Sequence, residues 1–260
     1  MCLVLGIPRS SYYYQSKGRK TTTQTEKKTI KKIFEESREI YGSRKIKVCL
    51  ERQGLILSRR RIRRIMKELN LKSKYQIAHY KHYSNQKNES DYPNLLNRQF
   101  DSTKPLETLV TDLTYIRVGQ RWAYACLIID LFNREIIGCA VGFHKTAELV
   151  KEAINSIPYS LNQVQIVHTD RGKEFDNKLI SEAFSVFGIR HSLSKAGCPY
   201  DNAVAESTYK AVKVEFVQGE NFKTLRELEI KLIDYVHFWN YHRLHGSINY
   251  QTPLAVRLAN

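Results

Sequence analysis

The segment VHTDRGKEFDNKLI, residues 167–180, places an acid, an arginine and a glycine directly after an apolar strand. The letters VQIV at 164–167 predict a buried strand, and Gly172 predicts a turn into a helix. Asp170 therefore stands at the C-terminal end of a strand, the edge at which open α/β sheets place their sites. An acid there can also be a helix cap or a loop residue, so the rest of the chain has to decide between these interpretations.

The residues around this segment predict a mixed α/β sheet of five strands with flanking helices. Three strands of antiparallel type precede it, namely TLVTDLTYIRV, WAYACLIIDL and REIIGCAVGF between residues 108 and 143. A helix from about Thr146 leads into the fourth strand, and IRHSLS at 189–194 predicts a short fifth strand.

Further helices are expected after the fourth strand. A long helix is predicted from Ala203 to about Val217, and Thr224 with Glu227 predicts a capping box at the start of a last helix that continues through Trp239. The helix that follows Gly172 is expected to turn five apolar residues inward, namely Phe175, Leu179, Ala183, Phe184 and Phe187.

Positive charge is concentrated in the first part of the chain. The 260 residues carry a formal net charge of +16, and residues 1–105 hold 25 Lys and Arg against 9 Asp and Glu, whereas 106–260 hold 17 of each. Because neutralised phosphates release counterions, this asymmetry favours a nucleic-acid-binding front attached to a charge-balanced body. A basic surface that serves only solubility is the alternative.

Three short helices are predicted before residue 72. The first ends at Gly42, the second runs from Ser43 to Gly54, and the third is capped by Ser58. The unit is similar to a helix-turn-helix whose last helix lies in a major groove, although a solvated basic face on an ordinary bundle has the same pattern. Apolar residues expected in its core are Ile30, Ile33, Phe34, Tyr41, Ile46, Cys49, Leu50, Ile62, Ile65, Met66 and Leu69. Cations expected to contact DNA are Arg59, Arg60, Arg61, Arg63, Arg64 and Lys67.

These patterns divide the chain into five parts. Residues 1–21 are an N-terminal segment, 22–72 a helix-turn-helix domain, 73–105 a basic linker, 106–217 an α/β core and 218–260 a C-terminal helical extension. The linker is rich in Lys, Asn, Ser and Tyr, a composition suited to lying along a phosphate backbone.

Several other protein classes are disfavoured. The five cysteines include no C-x-x-C pair, which fits buried thiols in a reducing compartment. His79 and His82 lack the cysteines that would complete a structural zinc site. No apolar run is long enough to span a bilayer and no signal-peptide pattern opens the chain, so we expect a cytoplasmic protein with no membrane partner.

Three acids stand where acids are costly or functional. Asp112 interrupts the otherwise apolar first strand and Asp170 ends the fourth, and a buried unpaired carboxylate needs a cation or several hydrogen bonds. Glu206, Lys210 and Lys213 fall at i, i+4 and i+7 of the long helix, away from its apolar stripe. That helix therefore presents an acid and two cations to a surface that can meet DNA.

Carboxylates from two strand ends and a helix would form a hard-oxygen site for Mg²⁺ or Mn²⁺. Two such ions about 4 Å apart can activate a water or a 3′-hydroxyl and stabilise the leaving oxygen of an in-line phosphoryl transfer. The chain has no G-x-S-x-G motif, no phosphate-cradling glycine-rich loop and no Cys/His pair at a diagnostic spacing. The predicted chemistry is therefore metal-assisted attack on a phosphodiester.

Asp112, Asp170 and Glu206, with 35 residues between the last two, resemble the DDE triad of transposases and retroviral integrases. The strings LETLVTDLTYI, LIIDLFNREIIGCAVG, HTDRGKEF, SLSKAGCPYDNAVAES and WNYHRLHGSINYQTPLA are similar to the second-frame product of the IS-three family of bacterial insertion sequences. YGSRKIKVCLERQGLILSRRRIRRIMKELNL matches the helix-turn-helix that this family carries ahead of its core. The resemblance covers nearly the whole chain.

The resemblance implies that 106–217 is an RNase H-like catalytic core that binds two divalent metals and performs DNA strand cleavage and strand transfer without a covalent enzyme intermediate. The three acids would be the metal ligands and catalytic residues. It also implies binding to transposon-end inverted repeats and target DNA, a homo-oligomer on DNA, cooperation with an upstream-frame product, and a bacterial, nucleoid-associated location. DNA contacts outside the basic helix would come from Lys210, Lys213, Arg171, Asn202 and Arg243, and Trp239, Asn240, Arg243 and His245 match a C-terminal signature that supports the core or touches DNA.

Other acids and histidines have competing interpretations. Asp130 could be a fourth ligand, but a turn-capping or salt-bridging role is favoured. Asp201 could replace the helical glutamate and is interpreted instead as a cap or backbone anchor. His168 is interpreted as a packing or hydrogen-bonding residue, and His242 and His245 as members of a packed helix.

Family members usually act as a fusion in which an upstream frame adds another helix-turn-helix and a coiled coil, and this sequence begins at MCLVLGIPRSSYY without them. The rival hypothesis is therefore a DNA-bound regulator or truncated product that is not productive alone. A host RNase H-like repair nuclease is a third hypothesis, which predicts structure-specific cutting with no preference for repeat ends. Leu109 also stands where the family often has Trp, a change expected to affect packing rather than chemistry.

Overall fold

The computed structural model describes residues 23–76, 93–195 and 199–259, besides Gly6, Pro8, Tyr13 and Tyr14. About half of the predicted linker, residues 77–92 with the two histidines considered for zinc, lies outside these ranges. Within the described part of the chain, no helix is both long and apolar enough to cross a membrane.

The sheet has five strands in the order β3-β2-β1-β4-β5. The first three strands form an antiparallel meander, and β4 and β5 run parallel to β1. This confirms the predicted mixed sheet. Its strands are β1 (Thr108–Val118), β2 (Arg121–Asp130), β3 (Ile136–Gly142), β4 (Ile166–Thr169) and β5 (Arg190–Leu193).

Eight α-helices are found among the described residues. Those before the sheet are α1 (Gln24–Glu36), α2 (Ser43–Arg52) and α3 (Arg59–Glu68). Those within and after it are α4 (Ala147–Asn155), α5 (Lys178–Val186), α6 (Ala203–Val212), α7 (Leu225–Tyr241) and α8 (Pro253–Leu258). A π-helical turn, Lys213–Val217, continues α6, so the predicted long helix to Val217 is confirmed with a change of winding.

Three helix predictions were wrong in detail. The helix expected after Gly172 begins only at Lys178, because Asn177 caps it by accepting from the Ile180 N–H at 3.1 Å. Phe187 consequently lies beyond its end and is 41% exposed. The helix expected to end at Gly42 stops at Glu36, and α8 follows what was predicted to be the last helix.

The two faces of the sheet are covered by different helices. Alternate β1 residues such as Val110 and Ile116 face α6, α7 and the N-terminal helices in one continuous apolar cluster. Leu109 lies on the opposite face, in a second cluster with residues of α4 and α5. Because side chains alternate along a strand, the strand periodicity of β1 is sufficient to define both halves of the core.

The N-terminal helices dock against the C-terminal extension. Tyr41 lies outside α1 yet is buried, and its hydroxyl accepts from the Leu244 N–H at 2.8 Å and donates to the His242 carbonyl at 3.2 Å. The Arg52 guanidinium adds a hydrogen bond to the Tyr250 carbonyl at 2.7 Å. The predicted helix-turn-helix is therefore packed on the rest of the protein rather than standing apart from it.

Candidate active site at the ends of β1 and β4

The parallel pairing of β1 and β4 aligns the two strand acids. Thr108 pairs with Ile166 and Val110 with His168, and the same register carried two residues further sets Asp112 opposite Asp170. β4 ends at Thr169, so within the described ranges no strand pairs with this edge of β1 beyond that point, and an isolated bridge joins Val118 to Phe222. The acids thus lie side by side where the sheet opens.

The turn after Asp170 explains the glycine in the opening segment. The Gly172 N–H donates to Asp170 Oδ1 at 2.9 Å, and the Arg171 Nε–H donates to the Ser194 carbonyl at 2.7 Å. A Cβ at Gly172 would lie only 2.1 Å from Oε1 of Glu174. A side chain at this position would therefore have to displace the Glu174 carboxylate, which folds back against the turn that holds Asp170.

The two acids repel each other electrostatically. Burial, followed by the charge of Asp170, raises the pKa of Asp112 to about 7, against a lowering by the Leu113 N–H that donates to it. Burial also raises the pKa of Asp170, and the nearby charge of Glu174 adds to the rise. Because both shifts disfavour the charged forms, this pair is suited to a bound cation.

Glu174 and Lys145 complete the charge distribution around the pair. The buried Glu174 carboxylate lies 2.7 Å from the Lys145 Nζ. Burial lowers the pKa of Lys145, but the hydrogen bond to Glu174 and the charges of Asp170 and Asp112 raise it overall. Neither residue was singled out from the sequence. The position of Glu174, four residues after Asp170, could have marked it as a neighbour of the site, whereas no sequence feature marks Lys145.

Glu206, the third predicted acid, occupies the first turn of α6 and is exposed. Across 23–76, 93–195 and 199–259, no three Asp, Glu, His or Cys side chains lie close enough to hold a metal ion together. The structure therefore brings two of the predicted ligands together, and the convergence of the third stays a prediction. The chemistry of the donors fits a hard divalent cation, since both are carboxylates in a region of excess negative charge.

Tyr209, one turn after Glu206, ties α6 to the strand that carries Asp112. Its buried hydroxyl accepts from the Leu127 N–H at 2.7 Å and donates to the Asp112 carbonyl. Asp112 and Leu127 are directly opposite each other in the β1–β2 pairing, so the hydroxyl is inserted into the ladder beside the candidate site. The sequence analysis missed this residue, because an aromatic residue on an amphipathic helix is typical of core packing.

Residues just before α6 touch the same strand. The Asn202 side-chain amide donates to the Thr111 carbonyl at 3.4 Å, while its buried Oδ1 has no partner among the described residues. Asp201 accepts from the Lys195 N–H at 3.1 Å and from Arg98 Nε at 2.7 Å. The interpretation of Asp201 as a backbone anchor is therefore confirmed.

Asp130 and His168 also have the non-ligand roles that were favoured. The Asp130 carboxylate accepts from the Leu106 and Phe132 N–H groups and pairs with Arg257 at 2.7 Å. His168 contacts the hydroxyls of two β5-side serines, and burial lowers its pKa to about 4, so the ring is neutral. Both side chains therefore make hydrogen bonds or ion pairs that connect the ends of strands to neighbouring segments.

The basic helix α3 exposes most of the cations predicted to contact DNA. Arg61 differs, since it is part-buried and forms a 2.7 Å ion pair with Glu26. Arg63 donates from Nε to the Ser43 hydroxyl at 3.3 Å. The exposed cations of α3 are Arg59, Arg60, Arg63, Arg64 and Lys67. Lys210 of α6 and Lys213 of its π-helical continuation are exposed as well. Contact of any of these with DNA stays a prediction.

The C-terminal signature residues hold the extension against the core. Arg243 is 7% exposed, and its guanidinium contacts Glu215 of the π-helical turn at 2.7 Å. The Trp239 indole N–H donates to the Arg134 carbonyl at 2.9 Å, and Asn240 bonds both backbone groups of Ile136. The sequence left two roles open for these residues, support of the core or contact with DNA, and the contacts described here are those of core support. His242 and His245 were wrongly assigned to a helix, since α7 ends at Tyr241.

Three domain families match this architecture. An HTH-like domain matches residues 22–79, and an integrase core domain matches residues 102–199 and, through a second family of the same description, residues 206–257. The pairing of an integrase core with a helical DNA-binding region defines the chain as a polynucleotidyl transferase of the transposase and integrase class.

Curated relatives identify the branch. The chain is 32% identical over 267 residues to an insertion element IS600 31 kDa protein of Shigella sonnei, covering 99% of this chain and 97% of that one. It is 29% identical to a transposase, InsK, for IS150 of Escherichia coli K12 (96% and 90% covered) and 30% identical to the IS904 transposase of Lactococcus lactis (86% and 90%). The chain belongs to the family of DDE insertion-sequence transposases.

A solved structure shows the same fold. A chain of the simian T-cell lymphotropic virus intasome, in complex with the PP2A regulatory subunit B56 gamma, superposes with a TM-score of 0.51 at 14% identity, covering 81% of this chain and 69% of that chain. The predicted RNase H-like core is thereby confirmed as an integrase-like fold. Such a fold implies chemistry that depends on a divalent metal.

Proposed function

We propose that this transposase uses Asp112, Asp170 and Glu206 to hold two Mg²⁺ or Mn²⁺ ions and cleaves DNA at the ends of its insertion sequence by attack of water on a phosphodiester. The freed 3′-hydroxyl then attacks a phosphodiester of target DNA, where it forms the new bond and a target 3′-oxygen leaves. The observation that carries the proposal is the alignment of Asp112 with Asp170 at the open edge of the sheet. Burial raises the pKa of both carboxyls, the charge of Asp170 adds to the rise for Asp112 and that of Glu174 adds to it for Asp170, and a divalent cation would offset these shifts.

Each part of the chain has a role in this reaction. Asp112 and Asp170 present hard oxygens from rigid strands, and Gly172 keeps the Asp170 turn tight. Bound divalent ions would activate the attacking oxygen and stabilise the leaving one. Glu206 approaches from α6 to complete the set once DNA is bound. The exposed Lys210 and Lys213 on the same helical surface bind phosphates beside the scissile bond.

The wider DNA is held by the N-terminal part of the chain. In this proposal residues 22–72 form the helix-turn-helix unit that recognises the terminal inverted repeats, 73–105 follow the backbone as a linker, 106–217 carry the catalysis, and 218–260 support it. Residues 1–21 precede these units. Two ends of one element must be processed together, so we propose a homo-oligomer on DNA, assembled with an upstream-frame product in the bacterial cytoplasm at the nucleoid.

A strand-transfer assay tests the catalytic proposal. Pre-cleaved insertion-sequence end DNA and a supercoiled target plasmid are incubated with the chain and Mg²⁺. Asp170→Asn is expected to lower the transfer rate on the order of 10³-fold, because losing metal stabilisation of the transition state costs several kcal/mol. Asp101→Asn, at a fully exposed acid paired only with Arg134, is the matched control and should retain activity. Equal rates for wild type and Asp170→Asn would refute the assignment.

A DNA-bound regulator is the second candidate. The observation that favours it is that Glu206 is not gathered with the two strand acids in the described part of the chain. On this hypothesis the chain binds end DNA without transferring it, and only a longer fusion with the upstream frame is active. Comparing both polypeptides in the same assay separates the two candidates, since the catalytic proposal requires Asp170-dependent transfer by this chain alone, whereas the regulator hypothesis requires transfer by the fusion and none by this chain.

A further inference from the structure

The turn end of the β1–β2 hairpin carries two large aromatic side chains that remain half-exposed. Tyr115 is 49% exposed and Trp122 is 50% exposed. Their rings meet edge to face, with centroids 5.2 Å apart and an interplanar angle of 88°. We call these two residues the aromatic platform.

The pairing of the strands places the platform on one face of the sheet. Tyr115 is opposite Tyr124 and Trp122 is opposite Arg117, so these four side chains share a face. The alternate residues, Ile116 among them, are buried on the other face. The platform therefore lies on the face of the sheet that packs against α4 and α5 around Leu109, at an end of β1 and β2 where the two rings stay half-exposed and available to a partner.

Three exposed cations lie against aromatic rings in this region. The Arg117 guanidinium is 5.3 Å from the centre of the Trp122 ring, and the Lys213 Nζ is 4.5 Å from the centre of the Tyr115 ring. Arg121, opposite the buried Val118, lies 4.0 Å from the centre of the Phe143 ring on the other face of the sheet and is not part of the platform surface. A surface that combines bare rings with cations is complementary to a base and its phosphate rather than to an apolar protein surface.

The platform is close to the candidate active site. Tyr115 is three residues along β1 from Asp112, about 10 Å at the usual rise of a strand, so its side chain lies on the opposite face of the strand from that of Asp112. Lys213, which comes from the continuation of α6, reaches Tyr115 past the edge of β1 with which no strand of the described ranges pairs. A DNA strand lying at the acids can therefore cross this edge onto the platform.

We propose that Tyr115 and Trp122 form a stacking site for an unpaired DNA base next to the scissile phosphate, with Arg117 and Lys213 on the adjoining phosphates. The inference rests on the proposed function, because it assumes that DNA occupies the acid pair. It adds that the strand near the reacting phosphate is bound with a base out of the duplex, and that this base is recognised by its ring surface rather than by its sequence.

Tryptophan fluorescence of the full chain tests this directly. The protein has two tryptophans, and Trp239 is 3% exposed, so quenching by DNA reports on Trp122. In EDTA, which prevents cleavage, the chain is titrated with a duplex that carries a three-nucleotide single-stranded extension. The same duplex with an abasic extension and a blunt duplex are the comparison probes. We expect quenching and about five- to hundredfold tighter binding only for the extension that carries bases.

Variants separate stacking from general DNA affinity. Trp122→Ala is expected to remove the preference for bases over abasic sites, and Trp122→Phe to keep it. Tyr241→Ala, at a similarly exposed aromatic of α7, is the matched control and should leave the preference unchanged. Equal affinity for the two extensions overturns the proposal, as does a Trp122-dependent dimer in sedimentation of the DNA-free chain, because a second copy would then cover the platform.

The failure of this inference is distinguishable from failure of the proposed function. If wild type transfers strands and Asp170→Asn does not, while bases and abasic sites bind equally, the catalytic assignment stands and the platform is wrong. If the base preference is present but Asp170→Asn is as active as wild type, the platform stands as a DNA-binding surface and the catalytic assignment is wrong.

Discussion

The strand acids and the helical acid are held by different kinds of structure. Asp112 and Asp170 are aligned by the register of two neighbouring strands and are half-buried where the sheet opens. Glu206 is exposed on a helix whose position depends on side-chain contacts, chiefly those of Tyr209 and Glu215. Two ligands of the proposed site are thus fixed by the backbone, and the third is placed by contacts that can change when DNA binds.

The buried ion pair between Arg243 and Glu215 is expected to contribute most to the stability of the helix that carries Glu206. Glu215 accepts from Arg243, Tyr75 and Tyr235, and despite burial these contacts hold the pKa of its carboxyl below the ordinary value. Arg243→Ala should lower the free energy of unfolding by about 3–5 kcal/mol, because it leaves a buried charge without its partner. Urea unfolding followed by circular dichroism measures this.

Two further variants test whether the pair anchors α6. Arg226→Ala removes an exposed ion pair with Glu229 and should cost at most about 1 kcal/mol. Replacing both members of the buried pair, Glu215→Gln with Arg243→Met, should recover part of the loss, because no unpaired charge remains. An Arg243→Ala cost as small as that of Arg226→Ala would show that the extension does not hold the helix.

The sequence alone was sufficient to predict those features of the fold that follow from a local, periodic pattern of residues. Alternation along 108–118 predicted β1 and the face of Asp112, and the apolar run before Asp170 predicted a strand end, so the paired acids could be anticipated. The Tyr209 contact with Asp112 joins residues 97 apart, and Lys145 reaches Glu174 across the sheet edge. Nothing in the periodicity of either segment encodes such contacts, because they depend on how α6 and the β3–α4 loop pack in three dimensions.

A metal-dependent stability measurement sharpens the same comparison. In metal-free buffer, Asp112→Asn should raise the free energy of unfolding by about 1–3 kcal/mol, because it removes a buried charge next to Asp170. Glu206→Gln should change it by less than about 0.5 kcal/mol, as expected for an exposed side chain. Thermal melts at neutral pH measure both, with an expected rise of about 3–6 °C for Asp112→Asn.

Adding Mg²⁺ should then reverse the order of the melting temperatures. The wild type gains stability when the cation binds the folded state, whereas Asp112→Asn lacks a donor and gains little. Ca²⁺ and K⁺ at matched ionic strength distinguish binding from screening. A wild-type melt that does not respond to any divalent ion, together with an unchanged Asp112→Asn melt, would contradict the electrostatic account of the pair.

A variant with a small expected effect on stability is the most informative about the third acid. Tyr209→Phe keeps the ring in the core and removes only the hydroxyl between Leu127 and Asp112. The two strands can then pair directly, so the cost should be about 1 kcal/mol. Tyr241→Phe, on the exposed face of α7, is the control and should be neutral.

Strand transfer by Tyr209→Phe should nevertheless fall by more than its stability does. The hydroxyl is the contact that fixes the first turns of α6 relative to Asp112, and a displacement of a ligand by about 1 Å costs on the order of 10²-fold in rate. The loss should appear in the transfer rate at saturating DNA rather than in end-DNA affinity, because the exposed lysines of α6 are unaltered. If affinity falls and the saturated rate is unchanged, Tyr209 supports the DNA-binding surface and does not position Glu206.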